Sequence, residues 1–184
     1  MATNFKRVRD IIADYKANKQ PNIIRQMSTC TTMDDYVYGD HQNRRKGQYS
    51  SVSTALGLLK IPQWRFTNFE HLYDVVRAIF MTSGHASAYL SIYDTALRIG
   101  YNHAEPILPS KYVYLYKSVG TSPSPRQGAI NLYGQPWVDK YMDKDYRQRI
   151  KTRWFSKKFP NMESWEIESI LCIYAKYFNF NMPY

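Results

Sequence analysis

Residues Ser83–Tyr116 read SGHASAYLSIYDTALRIGYNHAEPILPSKYVYLY. The middle of this stretch, Tyr89–Asn102, is apolar or small at almost every position. The exceptions are Ser91, Asp94, Thr95 and Arg98. A helix that is apolar on most faces is buried, with other helices packed around it. We therefore predict a buried helix over residues 89–102, with Gly100 as a signal for its end.

The flanks of this helix predict a helix, a hairpin and a buried helix in succession. A polar turn, Ser83–His85, precedes the helix, and a short second helix bounded by proline is expected over Pro109–Lys117. Such a unit offers backbone amides to a phosphate. The run Tyr112–Tyr116 is the one β-like segment, and it has no evident partner strand. The predicted class is therefore all-α, a compact helical bundle.

Further amphipathic helices are predicted on both sides of this unit from apolar residues at three- and four-residue spacing. They cover Asn4–Asn18, Ser50–Lys60, about 69–81, and a last helix from about Asn161. Thr67 and Glu70 have the spacing of a capping box before the third of these. Ser118–Pro136 holds several Pro and Gly residues and is predicted to be a long loop.

Length and composition indicate a single cytoplasmic domain. The chain has 184 residues, 44% of them hydrophobic, and no apolar run of the roughly 20 residues that cross a bilayer. Its first residues lack the apolar region of a signal peptide. Two cysteines, Cys30 and Cys172, are too few for a disulfide framework, and Cys172 is expected in the core. No cofactor is expected.

The charge balance favours a polyanionic partner. Twenty-five Lys and Arg residues stand against fifteen Asp and Glu residues, which gives a net charge of +10. Such an excess attracts nucleic acid and speeds its encounter with the protein. A basic surface that serves only solubility is the alternative interpretation.

Two basic segments carry this prediction. The first, Gly39–Tyr49, is predicted to be an exposed loop that contacts phosphate, or else a solvated loop. Its cations are Arg44, Arg45 and Lys46. The second segment begins at Trp137, where a helix is predicted whose basic side chains lie within an arc of about 60°. They are Lys140, Lys144, Arg147 and Lys151.

Motifs of enzyme chemistry are largely missing from the sequence. There is no phosphate-binding Gly-x-x-x-x-Gly-Lys loop and no Gly-x-Gly-x-x-Gly dinucleotide turn. The four histidines have no metal-ligand spacing, so no metal site is predicted. Asp94 and Arg98 stand four residues apart and predict an internal ion pair. In the alternative, a buried Asp94 acts as a general acid or base, with His41 as a second candidate.

Part of the sequence resembles a family. YDTALRIG, at Tyr93–Gly100, followed by Val113-Tyr114-Leu115, resembles a motif of small uncharacterised bacterial and phage proteins. Members of that family tend to carry Gly-Ile-Gly where this chain has Ala86-Ser87-Ala88. With those glycines the segment is similar to the helix-hairpin-helix of base-excision DNA glycosylases. The resemblance implies an all-helical fold that binds duplex DNA through hairpin amides.

The resemblance does not extend to the catalytic residues of the glycosylases. Tyr89 and Leu90 stand where the glycosylase pattern has a lysine, and Val113 and Tyr114 stand where it has an aspartate. The resemblance therefore carries over the scaffold and does not carry over the glycosylase chemistry.

Three functions are open from the sequence. The first is a nucleic-acid-binding protein, for DNA rather than RNA, that contacts the phosphate backbone and no membrane. Its expected contacts are Arg44, Arg45, Lys46, His85, Ser87, Lys140, Lys144, Arg147 and Lys151. The second is an enzyme acting on a base or nucleotide, with Asp94 and His41 in its pocket. The third is an interaction or assembly module of phage or mobile-element origin. The oligomeric state is left open.

Overall fold

The computed structural model of the chain describes residues 8–19, 49–61, 65–117 and 124–180, together with residues 24, 27, 28 and 31. Four of the predicted site residues lie outside the described residues. They are His41, Arg44, Arg45 and Lys46.

Within the described residues the protein is mostly helical, with seven α-helices and a small two-stranded antiparallel sheet. The helices are α1 (Val8–Asp14), α2 (Tyr49–Leu56), α3 (Phe69–Thr82), α4 (Tyr89–Asn102), α5 (Pro125–Tyr133), α6 (Gln135–Tyr141) and α7 (Ser164–Phe180). The strands are β1 (Tyr112–Tyr114) and β2 (Arg149–Lys151). A π-helical turn, Tyr15–Lys19, follows α1, and short 3-10 helices cover Gly57–Lys60 and Thr152–Trp154. The predicted helical architecture is confirmed, and the prediction of a fold without strands is wrong.

The chain divides into two compact units. One comprises Met1–Gln20 and Ser110–Tyr184, and is called here the ribbon unit because it holds both strands. The other comprises Pro21–Pro109 and is called the central-helix unit. The single domain expected from chain length stays a prediction. In the described part of the chain, no helix combines the length and the apolar character needed to span a membrane.

The central-helix unit is built around α4, whose observed bounds agree with the prediction. Every residue from 91 to 100 is buried, and α2 and α3 pack against this helix. Phe69 of α3 meets Tyr93 of α4 edge to face, with ring centres 6.0 Å apart. The apolar surface that the sequence predicts on most faces of this helix is therefore covered by neighbouring helices.

Gly100 serves close packing and does not end α4. The helix continues to Asn102, and the amide of Ile107 donates to the Gly100 carbonyl oxygen over 2.9 Å. A Cβ atom at Gly100 would overlap the carbonyl oxygen of Ile107. The residue thus allows the chain beyond α4 to turn back against the helix.

The start of α3 differs by one residue from the predicted capping box. The side chain of Asn68, and not that of Thr67, accepts the hydrogen bond from the amide of His71, over 2.9 Å. Asn68 has extended backbone angles, as N-cap residues do.

In the ribbon unit, α5 and α7 form the main helix pair, and α1 also packs on α7. Helix α5 corrects the predicted loop at 118–136, because residues 125–133 are helical. Ser124 accepts a hydrogen bond from the amide of Gln127 over 3.2 Å, and Pro125 occupies the first turn. Serine before proline is a helix start as well as a loop signal.

The two strands correct two further predictions. Tyr112–Tyr114 pairs antiparallel with Arg149–Lys151, with Val113 opposite Ile150, so the short helix expected over 109–117 is wrong. Val113 and Ile150 are fully buried and hold the ribbon to the core of the unit. The helix expected from Trp137 ends at Tyr141, because the chain must return to pair with β1.

Cys172 of α7 is buried, as predicted, and yields a test by pH. Burial, with the nearby charge of Glu168, raises the pKa of its thiol to about 12, against the partial opposing effect of Lys176. An unfolded chain ionises the same thiol near pH 9.0 and so releases a proton that the folded chain keeps. Stability is therefore lost as pH rises above this value. We expect the free energy of unfolding to fall by about 1.4 kcal/mol more in the wild type than in Cys172→Ala between about pH 8 and 10.

Urea denaturation of both proteins at the two pH values measures this difference. Other groups that titrate in this range are common to both proteins and cancel in the comparison. An identical pH dependence in the two proteins would contradict the burial of this thiol.

Candidate nucleic-acid interface

Most of the net positive charge of the chain falls in one segment of the ribbon unit. Residues 110–160 contain eleven Lys and Arg residues and three Asp residues, and no Glu. The net charge of this segment is therefore +8, out of +10 for the whole chain. A local excess of this kind indicates where a polyanion would be attracted.

The four cations of the predicted helical stripe do not lie on one helix face. Lys140 is exposed in the last turn of α6, Lys144 is exposed in the turn that follows, and Lys151 is exposed on β2. Arg147 is half-buried and forms an ion pair with Asp145, whose Oδ2 lies 2.8 Å from the guanidinium nitrogen. The prediction that all four share a helical face is wrong.

Local hydrogen bonds shape the turn that follows α6. The Asp145 carboxylate accepts from the amide of Arg147 over 2.9 Å, which replaces a helical bond with a side-chain bond. Gln148 then takes a left-handed φ of 48°. These two features direct the chain back toward β1, where the amide of Leu115 donates to the carbonyl oxygen of Gln148 over 2.7 Å.

Arg149 anchors the base of the ribbon. Its guanidinium lies 3.8 Å from the ring centre of Tyr112, and its Nε lies 3.1 Å from Asp143 Oδ2. Burial lowers the pKa of Arg149, whereas Tyr114, Asp143 and Asp145 raise it, and the net pKa lies above its ordinary value. Arg149 is therefore a permanent cation engaged in holding the ribbon and its turn together.

An open pocket of about 420 Å³ lies at the end of the ribbon where β1 begins and β2 ends. Three cations line it, Lys111, Lys151 and Arg153, and all three are exposed. Ser110, Tyr112 and Thr152 complete its wall. In the part of the chain that the structure describes, no carboxylate forms an ion pair with these three cations. We call this feature the basic pocket.

The backbone of the basic pocket is fixed by Thr152. Its amide donates to the carbonyl oxygen of Lys111 over 2.9 Å, and its hydroxyl donates to that of Ser110 over 3.2 Å. The same hydroxyl lies 2.7 Å from the hydroxyl of Ser164, at the start of α7. The two chain segments that carry the cations are thus tied together before any ligand binds.

A row of four aromatic rings lies in the same unit, and we call it the aromatic row. Tyr133 stacks on Trp137 with ring centres 4.1 Å apart and an interplanar angle of 14°. Trp137 is followed by Tyr141 at 5.1 Å, and Tyr141 by Trp154 at 4.4 Å. The buried ring of Phe155 supports Tyr133 and Trp137 edge to face.

Cations lie over three rings of this row. Lys140 Nζ is 5.3 Å from the Tyr141 ring centre, and the Arg153 guanidinium is 5.1 Å from that of Trp154. Lys158 Nζ is 5.7 Å from the Tyr133 ring centre. Burial raises the pKa of the Tyr133 hydroxyl, which therefore stays neutral. Positive charge and aromatic surface alternate along this face.

The turn between α3 and α4 carries His85 and Ser87. Most of its backbone amides donate hydrogen bonds to carbonyl oxygens of the protein itself. The amides of Ser83 and His85 donate to Phe80, and that of Gly84 donates to Met81. His85 Nδ1 lies 3.1 Å from the Ser51 hydroxyl, and Ser87 is exposed. The amides used in this way are not directed at a ligand, and phosphate binding at His85 and Ser87 stays a prediction.

The internal ion pair predicted for Asp94 and Arg98 is confirmed. Arg98 Nε donates to Asp94 Oδ2 over 3.1 Å, and both side chains are buried in the central-helix unit. The role of Asp94 as a general acid or base stays a prediction. Among the described residues, no group of three His, Cys, Asp or Glu side chains is placed to hold a metal ion.

Sequence reasoning missed the basic pocket, because Lys111 and Arg153 belong to no helical stripe. The signal that could have found it is the β-like run Tyr112–Tyr116, preceded by Lys111, together with the short alternating segment at 149–151. Pairing these two segments brings Lys111, Lys151 and Arg153 to the same end of a ribbon.

Comparisons of the chain with protein-family models, with curated proteins and with solved structures give no match. The resemblance of residues 83–116 to the helix-hairpin-helix of DNA glycosylases therefore stays a prediction.

Proposed function

We propose that this protein binds nucleic acid through the ribbon unit, with the phosphate backbone at the basic pocket. The observation that carries the proposal is the convergence of Lys111, Lys151 and Arg153 on one open pocket. Each cation is exposed, and the surrounding segment has a net charge of +8. Lysine ammonium groups and arginine guanidinium groups are the side chains that hold phosphate oxygens.

The distribution of paired and unpaired charge favours the pocket cations over Arg147 and Arg149. Arg147 and Arg149 form ion pairs with Asp143 and Asp145, so their charge is largely compensated locally. The pocket cations have no such compensation among the described residues. A phosphate can therefore approach them without displacing a carboxylate, and it releases its condensed counterions as it binds.

A matched pair of double variants tests the proposal. Lys111→Glu/Lys151→Glu places two negative charges in the basic pocket. Lys16→Glu/Lys60→Glu changes the net charge by the same amount at two exposed lysines that do not line it. At low salt we expect the pocket variant to bind labelled DNA or RNA about tenfold or more weakly than the wild type, measured by fluorescence anisotropy.

The control variant distinguishes binding at a local site from general electrostatic attraction to a positively charged protein. It is expected to bind within about threefold of the wild type, because neither of its lost charges lines the pocket that would hold the phosphate. Equal losses in the two variants would show that only total charge matters and would contradict the proposed site. Circular dichroism of both variants establishes that each is folded.

A further inference from the structure

We propose that the ligand of this surface is single-stranded nucleic acid, with one unpaired base stacked on Trp154 and its phosphate in the basic pocket. This inference rests on the proposed function and specifies the class of nucleic acid. It gives a binding role to the aromatic row, which takes no part in the phosphate contacts.

Trp154 presents aromatic surface to solvent in a fixed position. It is 40% exposed, whereas Phe155, the next residue, is fully buried. The ring of Trp154 lies against Tyr141, with ring centres 4.4 Å apart and an interplanar angle of 35°. A large indole that is both exposed and held by a neighbouring ring loses little conformational freedom when a base stacks on it.

Arg153 joins the ring to the basic pocket. It lines the pocket, and its guanidinium carbon lies 5.1 Å from the Trp154 ring centre. The phosphate site and the stacking surface are therefore separated by one side chain. Proteins that bind single strands place a basic track for the backbone beside aromatic rings for the bases in this way.

The remainder of the row supports an extended strand. Tyr141 and Tyr133 also carry lysines over their rings, so the alternation of charge and aromatic surface continues beyond Trp154. A duplex keeps its base faces stacked inside the helix, and they are not available to such rings. The aromatic surface thus adds binding energy for an unpaired strand and none for a duplex.

The test compares Trp154 variants on two probes at equal salt. The probes are a labelled oligothymidylate and a labelled DNA duplex of the same length. Trp154→Leu keeps an apolar contact for Tyr141 but removes the π face, whereas Trp154→Phe keeps a smaller ring. We expect the wild type to bind the single strand about tenfold more tightly than the duplex, by fluorescence anisotropy.

The variants are expected to separate the two probes. Trp154→Leu should lose about tenfold in affinity for oligothymidylate, and Trp154→Phe should recover most of that loss, since base stacking on an aromatic ring is the interaction removed. Affinity for the duplex should be unchanged in both variants. Circular dichroism of each variant gives the folded fraction used in the comparison.

The outcomes distinguish this inference from the proposed function. If Trp154→Leu binds oligothymidylate as well as the wild type while Lys111→Glu/Lys151→Glu binds weakly, stacking is excluded and the phosphate site stands. A duplex bound more tightly than the single strand would likewise overturn the inference alone. If the wild type binds neither probe, nor the corresponding RNA strand, the proposed function fails as well.

Discussion

Replacing Asp94 by alanine is expected to lower the free energy of unfolding by about 3–5 kcal/mol. Its partner Arg98 has a side chain only 2% exposed, so the variant leaves a guanidinium charge inside the protein. Taking an ion out of water costs several kcal/mol, and the contribution of the Asp94 carboxylate toward offsetting this cost would be gone. The loss should be seen by urea denaturation.

Two matched variants serve as controls for Asp94→Ala. Arg9 and Asp10 form an exposed ion pair of 3.4 Å, and Asp10→Ala is expected to cost less than about 1 kcal/mol. The double variant Asp94→Leu/Arg98→Met removes both buried charges and should be more stable than Asp94→Ala. A loss in Asp94→Ala no larger than that in Asp10→Ala would contradict the burial of the Asp94–Arg98 pair.

Gly128→Ala is expected to lower the free energy of unfolding of the protein by about 3 kcal/mol, at the upper end of what one added carbon costs in a packed core. Gly128 lies on α5, where a Cβ atom would overlap the carbonyl oxygen of Leu171 on α7 and come within 2.7 Å of its carbonyl carbon. These are backbone atoms, which no rotamer change can move aside. The two helices that form the main pair of the ribbon unit would have to separate.

The control for this substitution is Gly57→Ala. A Cβ atom at Gly57 meets no other atom within 4 Å, so alanine fits without displacement. We expect Gly57→Ala to change the free energy of unfolding by less than about 1 kcal/mol. Any change should be an increase, because alanine reduces the conformational freedom of the unfolded chain. Thermal unfolding of both variants provides the comparison. Equal stability of Gly128→Ala and the wild type would contradict the close approach of α5 and α7.

Features that depend on local pattern could be predicted from the sequence. Residues 89–102 are apolar or small at almost every position, and the observed α4 has these bounds. The four-residue spacing of Asp94 and Arg98 predicts the ion pair that the structure contains. Both inferences need only helical periodicity, which the sequence displays directly.

Features that depend on distant pairing could not be predicted in this way. In the sequence, Tyr112–Tyr114 looks like an isolated strand. It pairs with Arg149–Lys151 in the structure, and neither segment alone identifies the other as its partner. The basic stripe assumed that one helix continues past Tyr141, whereas the helix ends there and the amide of Asp143 donates to the carbonyl oxygen of Arg149. The basic pocket arises from this pairing, and so it was missed together with the ribbon.

The salt dependence of binding tests the central claim most directly. Each cation that neutralises a phosphate contributes about 0.7–0.9 to the slope of log affinity against log salt concentration. If Lys111 and Lys151 contact phosphates, Lys111→Glu/Lys151→Glu should reduce the magnitude of that slope by about 1.5 relative to the wild type. A slope equal to that of the wild type would contradict phosphate binding at the basic pocket.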